Sequence, residues 1–441
     1  MISIILNENG IWPNEENEDE KNLSKKIGKQ LENSENDQKI VKKLNEEKKW
    51  FTIRQLTSGL QIEAKQYVGT LNFPKLGFTL NIIPKIFDKN DENVWKNTTA
   101  IIDFTNGIKP KNIEETQRIY FEKDNEPILF DHVCRQLVEE CEILLRRGLL
   151  RSYVIHAENT RSLRGKLLLQ QQIINDAMCK PQFFSEFDEL EYNNLENQII
   201  LEALTIAEKF IQDNELKMKT LRLAQQFSGL IEKKSTSKYE RVKLMQNYSR
   251  QNDHYKNVHK ICDLIIDNSG ISDIYHQYSF VMPFFVDMNK TFERFIERLF
   301  EDYYKKENYE KILRQKIEKA WEIPDEADKK MKPDIIIKKN NVITTIIDVK
   351  YKPKLAESDL YQLGFYMHEF QTKNENKRTL DEAFAILPNY GENNDEKSFS
   401  ANISKKTIYQ KRIDVNDVLK KIRKGDPDLE NIVEKLLEIN I

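Results

Sequence analysis

The stretch Lys332-Pro333-Asp334-Ile335-Ile336-Ile337 and, after a polar break, Ile346-Ile347-Asp348-Val349-Lys350-Tyr351-Lys352 decides how this chain is read. Each half carries a β-branched apolar run, the composition favoured in strands. Between them Lys338, Lys339, Asn340 and Asn341 are polar, and Asn tolerates the positive φ that a tight hairpin turn needs. A hairpin centred on Asn340 or Asn341 places Asp334 opposite Ile347 or Asp348. The two carboxylates then become cross-strand neighbours, about 5 Å apart at Cβ. Asp348 and Lys350 are two residues apart and share one face of their strand.

Two adjacent carboxylates repel unless a proton or a cation joins them. Mg²⁺ suits such a pair, because it takes oxygen ligands and completes its shell with water and substrate phosphate. Lys350 beside it can orient or deprotonate an attacking water and offset charge on the phosphate. The chemistry indicated is phosphodiester cleavage. The plainer reading makes Asp334 a strand-end residue and Asp348 with Lys350 a solvated salt bridge. Against it stand the apolar runs at 335–337 and 346–347, which put the charges at the rim of a buried core.

The chain has 441 residues, enough for two or three domains. Its net charge is −3 and its pI about 6.2, so any nucleic-acid contact must use a local patch or be supplied by a partner. With 32% charged residues and a mean hydropathy of −0.67, an integral membrane protein is excluded. The apolar run at the N-terminus is too short for a signal peptide and has no basic flank, so a cytoplasmic location is expected. Four scattered cysteines, Cys134, Cys141, Cys179 and Cys262, form no CxxC, which speaks against a disulfide framework or a zinc site. Those in helical stretches are assigned to core packing. No GxxxxGK[ST] occurs, so no nucleotide site is expected in this chain.

Residues 14–49 are almost all Glu, Lys, Asn, Asp, Gln and Ser, and predict a charged helix or a disordered insert. Residues 50–87 alternate as strands and predict a small twisted sheet or partial barrel, with a turn at Pro74 and Gly77. Helical spacing predicts a helix over 126–150 and others over 195–210, 216–231 and 258–266, while 151–170 reads as extended. A new unit starts near Pro283. Phe292, Phe295, Ile296, Leu299 and Phe300 make one apolar helix stripe, with Glu293 at its flank. After the hairpin, Ser358 or Asp359 can cap a helix running to about Phe370, on which Gln362 and Tyr366 share a face and Leu360, Leu363 and Met367 take the core side. Ala383-Phe384-Ala385-Ile386-Leu387 reads as a further buried strand. Helix, hairpin, helix, strand builds a mixed sheet flanked by helices.

That order, with these residues, resembles the PD-(D/E)xK nuclease superfamily. Pro333-Asp334 matches its PD and Asp348-Val349-Lys350 its DxK. Glu293 stands where the superfamily has an acidic residue on its first helix, and Gln362-Leu363-Gly364-Phe365-Tyr366 matches the QxxxY of its RecB-like branch. More narrowly, the chain is similar to the McrC family, the nuclease subunits of McrBC-type modification-dependent (5-methylcytosine) restriction systems. The residues that carry this likeness are the run from Phe284 to Glu293, Asp348-Val349-Lys350-Tyr351-Lys352, Leu163-Arg164-Gly165-Lys166 and Ile82-Ile83-Pro84-Lys85-Ile86. The charged segment 14–49 departs from the family pattern.

The resemblance implies a multidomain α+β protein. A β-rich domain at 1–110, with 14–49 as a charged insert, would dock an AAA+ partner. A mainly helical region would span 111–280, and an α/β nuclease domain 281–441. It implies Mg²⁺ held by Asp334, Asp348 and the Val349 carbonyl, with Glu293 acting directly or through a metal-bound water. Lys350 would position or activate the nucleophilic water, and Gln362 and Tyr366 would orient the hairpin or contact DNA. The implied substrate is double-stranded, modified DNA, and the implied partner an McrB-like AAA+ GTPase hexamer whose GTP hydrolysis this chain stimulates. Two rivals are a non-cleaving scaffold that activates a ring NTPase and a stand-alone RecB-like repair nuclease.

Overall fold

In the computed structural model, every residue is described except 1, 48–49, 74–75, 88–93, 108–128, 212, 270–283, 305–309, 315–317, 322–328, 340–341, 373–379, 391–394, 425–428 and 439–441. The N-terminal apolar run forms β1 (Ile2–Asn7), followed by β2 (Ile11–Trp12). The charged stretch folds as α1 (Glu18–Glu32) and α2 (Glu35–Glu47), so of its two expectations the helical one holds. Asn17 caps α1 through the backbone N–H groups of Asp19 and Glu20. A sparse apolar stripe suffices for packing: Ile27, Leu31 and Leu44 are buried, and the helices lie on β3 (Phe51–Leu56) and β4 (Gly59–Ala64). Then come β5 (Tyr67–Phe73), β6 (Phe78–Ile83) and α3 (Val94–Asn106). Pro74, expected in the turn between these strands, lies outside the described residues.

The middle of the chain contains α4 (Leu129–Arg147), β7 (Ser152–Thr160), β8 (Lys166–Leu167), α5 (Leu169–Ala177) and β9 (Phe183–Glu191). It continues with α6 (Leu195–Phe210), α7 (Asn214–Ser228), α8 (Lys238–Gln246) and α9 (Lys256–Ser269). The last part has β10 (Phe284–Asp287), α10 (Met288–Tyr304), β11 (Glu310–Arg314), β12 (Glu318–Trp321), β13 (Lys329–Met331), β14 (Ile335–Lys339) and β15 (Val342–Val349). It ends with α11 (Glu357–Thr372), β16 (Glu382–Pro388), β17 (Lys397–Ser400), β18 (Thr407–Ile413), α12 (Val415–Lys424) and α13 (Leu429–Leu437). Among the described residues no helix is long and apolar enough to cross a membrane.

The chain divides into two compact units, one made of Met1–Leu129 with Pro283–Ile441, the other of Phe130–Met282. The segments 1–110 and 281–441, separate in the sequence reading, thus share one unit. The reason is a strand pairing: β10 closes the four-stranded sheet β1-β6-β5-β10 by running antiparallel to β5. Gly69 of β5 makes that approach possible, since a Cβ there would lie 2.0 Å from the Phe284 carbonyl oxygen. Gly69→Ala is therefore expected to destabilise the protein by about 2 kcal/mol, read as a lowered denaturation midpoint.

A six-stranded mixed sheet, β11-β14-β15-β16-β18-β17, forms the core of the same unit. Strand residues alternate between two faces. Ile335, Ile337, Ile347, Val349 and Ile386 pack with Phe292, Phe295, Ile296 and Phe300 of α10 and with Ala100 and Phe104 of α3. Ile336, Ile346, Ala383 and Ala385 pack with Leu363, Tyr366, Met367 and Phe370 of α11. Each buried Phe or Ile contributes about 2 kcal/mol of apolar burial, and the two clusters fix the sheet from both sides.

The unit 130–282 is helical around α6, which packs on α7 and α9 with Ile199, Ile200, Leu204, Phe227 and Val258 buried. Cys134, Cys141 and Cys262 are buried here as free thiols, in keeping with core packing, and Cys179 is exposed. A three-stranded sheet, β7-β9-β8, also belongs to this unit; β7 and β8 fall in the stretch 151–170 that reads as extended, while β9 was not anticipated. In β9 the sequence FFSEFDELE interleaves acidic residues with apolar ones and buries only Ser185 and Phe187. A strand with so little burial leaves a weak alternation signal.

Candidate functional site

The hairpin of β14 and β15 forms with both anticipated registers in use. Ile335, Ile336 and Ile337 pair with Ile347, Ile346 and Thr345, whereas Lys338 and Lys339 pair with Ile343 and Val342. The shift skips Thr344, whose hydroxyl donates to the Ile337 carbonyl at 3.3 Å. The expected turn residues Asn340 and Asn341 lie outside the described residues. Continued past the strand end, the register sets Asp334 opposite Asp348. Asp334 Oδ2 accepts from the Val349 backbone N–H at 2.7 Å, and its carboxyl is within hydrogen-bonding reach of Asp348.

Asp348 is 2% exposed, at the carboxyl end of β15 where that strand runs parallel to β16. Ligands in α/β sheets gather at such carboxyl ends. Lys350 Nζ lies 2.7 Å from Asp348 Oδ2. The approach is off the line that a hydrogen bond prefers, so this buried oxygen accepts no well-aligned bond. Burial, then the charges of Asp348 and Glu293, pushes the Asp334 carboxyl well above the usual carboxylate range, against the pull of the Val349 N–H and Lys350. Burial also pushes Asp348 up, partly countered by Lys350. Burial disfavours the Lys350 ammonium, but Asp348 and Asp334 outweigh it and hold its pKa above the ordinary lysine value. Such a pair holds a proton tightly and would exchange it for a cation.

Helix α11 supports Lys350 from the other side. Lys350 Nζ donates to Gln362 Oε1 at 3.3 Å, Gln362 Nε2 donates to the Tyr366 hydroxyl at 2.8 Å, and that hydroxyl accepts from the Lys332 N–H at 3.4 Å. The chain of bonds ties the helix to both ends of the carboxylate pair. The helix starts at Glu357, earlier than a Ser358 or Asp359 cap would have it. Asp359 instead reaches back to the Ala356 N–H at 2.7 Å and pairs with Lys352. Tyr366→Phe keeps the ring in the core and removes the junction of these bonds. Hydrogen exchange at the Lys332 amide is expected to quicken about tenfold with the denaturation midpoint little changed, measured side by side on the two proteins.

Glu293 sits on α10, half-buried, and its charge reaches Asp334. Asp287, last residue of β10, caps that helix through the N–H of Asn289 at 3.0 Å and of Lys290 at 3.4 Å, which fixes the start of the helix whose second turn carries Glu293. Among the described residues, no three His, Cys, Asp or Glu side chains converge as a metal cage. Asp334, Asp348 and Lys350 are the compact group, Gln362 and Tyr366 hold Lys350, and Glu293 stands at electrostatic range. Sequence reasoning missed Glu8, which is 2% exposed, accepts a hydrogen bond from the Tyr351 hydroxyl, and accepts from the Lys85 N–H at 3.1 Å. Its only signal was an acidic residue closing the apolar run of β1.

A family model described as McrBC 5-methylcytosine restriction system component matches residues 62–380. A search of curated proteins found no match. Among solved structures, the chain is similar to one from a refined half-complex of a tetradecameric assembly of Thermococcus gammatolerans McrB AAA+ hexamers with bound McrC. The identity is 22%, 98% of this chain and 100% of that chain are covered, and the TM-score is 0.50, a likeness of fold. A chain of the Thermococcus gammatolerans McrBC complex, solved by cryo-electron microscopy, is 23% identical over 68% of this chain and 88% of that one, with a TM-score of 0.44.

Proposed function

Because the chain belongs to the family of McrBC 5-methylcytosine restriction system components, we propose that it is the McrC-type subunit of such a system, a Mg²⁺-dependent DNA endonuclease. The observation that carries this reading is the buried Asp334–Asp348 pair with Lys350 at its edge and one carboxylate oxygen left without an aligned partner. The donor set is hard oxygen, which fits Mg²⁺ and not a thiophilic metal. Asp334, Asp348 and the Val349 carbonyl would hold it, with Glu293 adding a ligand directly or through water. The bound cation would supply Lewis-acid charge at the scissile phosphate and lower the pKa of a bound water. Lys350, kept as the ammonium by Asp348 and Asp334, would orient the nucleophilic water and offset charge on the phosphate. Gln362 and Tyr366 keep Lys350 on that line. The C-terminal sheet with its flanking helices is, on this reading, a PD-(D/E)xK core.

The partner we propose is an McrB-like AAA+ GTPase ring, whose hydrolysis this chain would stimulate, docked by the β-rich segment 1–110. A net charge of −3 suits a subunit whose DNA affinity is supplied largely by another protein. The test is to purify the chain with its AAA+ partner and supply GTP, Mg²⁺ and 5-methylcytosine-bearing duplex DNA. Double-strand cleavage that disappears with EDTA and with unmodified DNA is expected. GTPase stimulation without any nicking would instead favour the scaffold role.

A further inference from the structure

Tyr351 follows Lys350 directly but turns to the opposite face of the sheet. Its ring packs on Phe292 of α10 at 5.4 Å between centroids. Its hydroxyl donates to Glu8 Oε1, and the same oxygen accepts from the Lys85 N–H at 3.1 Å. Lys85 Nζ in turn donates to the Tyr351 carbonyl at 3.3 Å and lies 4.5 Å from the centre of its ring. Tyr351 is thus gripped at side chain and backbone by two residues that follow the ends of β1 and β6. Glu8 itself is anchored by its N–H to the Ile83 carbonyl at 2.9 Å. On the far side the Lys350 N–H donates to the Ile386 carbonyl at 2.9 Å, so the segment after β15 is held from both directions.

Glu8 is an expensive choice for this place. It is 2% exposed, and among the described residues its Oε2 is buried with no hydrogen-bond partner. A strand end that only needed packing would be cheaper with an apolar side chain. We infer that Glu8 and Lys85 are positioning residues: by clamping Tyr351 they fix Lys350 against Asp348 and hold the Val349 peptide at Asp334. The inference rests on the nuclease reading for what Lys350 does, but the clamp itself is a statement about backbone order.

The test uses the full chain with its AAA+ partner. Glu8→Ala is expected to lower kcat for DNA cleavage about 100-fold with KM for DNA unchanged, the signature of a misplaced catalytic group. Glu8→Gln keeps an oxygen acceptor for both bonds and is expected to retain most of the rate. Tyr351→Phe, which keeps the ring on Phe292, is expected to follow Glu8→Ala in direction. Hydrogen exchange at the Lys350 and Lys352 amides is read in parallel and is expected to quicken in Glu8→Ala and Tyr351→Phe but not in Glu8→Gln. Unchanged exchange at those amides in Glu8→Ala overturns the clamp whatever the cleavage rate. A wild-type complex that never cuts DNA overturns the nuclease reading alone, and the exchange data then still decide the clamp.

Discussion

Replacing Asp348 with asparagine is expected to reduce the proposed DNA cleavage by at least about 10³-fold, because it removes charge from the point where the proposed cation and the Lys350 ammonium would meet. The change is nearly isosteric in a residue only 2% exposed, so packing is preserved. It also removes the Asp348 charge, which adds to burial in raising the Asp334 carboxyl above the usual range. Thermal stability should therefore stay level or rise while activity collapses, a combination that unfolding cannot imitate. The GTPase stimulation proposed for the complex should survive. Cleavage, GTP hydrolysis and the denaturation midpoint, taken on one preparation, decide the matter, and a cleavage rate near wild type would remove Asp348 from the mechanism.

The second large effect concerns stability and pH. Burial, against the pull of the Tyr351 hydroxyl and Lys85, raises the Glu8 carboxyl from its ordinary 4.5 to about 7, with Asp287 adding to the rise. A raised carboxyl means that the folded protein keeps its proton where the unfolded chain has released it. The stability that Glu8 contributes is present in full below pH 4.5 and is lost as the pH rises through about 7. The loss amounts to about 3 kcal/mol. Glu8→Gln mimics the neutral acid, so it should flatten this slope and be the more stable protein at pH 8. Denaturant midpoints for both proteins at pH 5 and pH 8 test it. A wild-type protein more stable at pH 8 than Glu8→Gln reverses the sign and defeats the argument.

Local signals read well wherever one physical effect dominated. Helix α10 carries the apolar stripe that the Phe spacing foretold, and β16 spans the apolar run from Ala383 to Leu387. The hairpin register followed from counting outward from polar turn residues, which is why Asp334 and Asp348 could be paired in advance. Gln362 and Tyr366 could be placed on one helix face, but their link to Lys350 is a matter of side-chain reach and needed coordinates. The pairing of β5 with β10 was not legible at all. Nothing in Gly69-Thr70 announces Phe284-Phe285 as its neighbour, because strand partners far apart in sequence share only a composition. Glu8 was missed for the same reason: its meaning lies in Tyr351 and Lys85, and neither is near it along the chain.

The wide separation of β5 and β10 also has a consequence in time. Ribosomes add about 5–20 residues per second, so Gly69 emerges roughly ten to forty seconds before the Phe285 it must pair with. Through that interval β5 has an open edge, the kind of surface that chaperones cover and that aggregates form on. Both aspartates arrive later still, at positions 334 and 348, and the strand that steadies them on the other side, β16, comes after them. A nascent or prematurely terminated chain thus contains the Glu8 and Lys85 that grip Tyr351 but none of the residues proposed to cut. On the nuclease reading we propose, the order of synthesis is itself a safety catch.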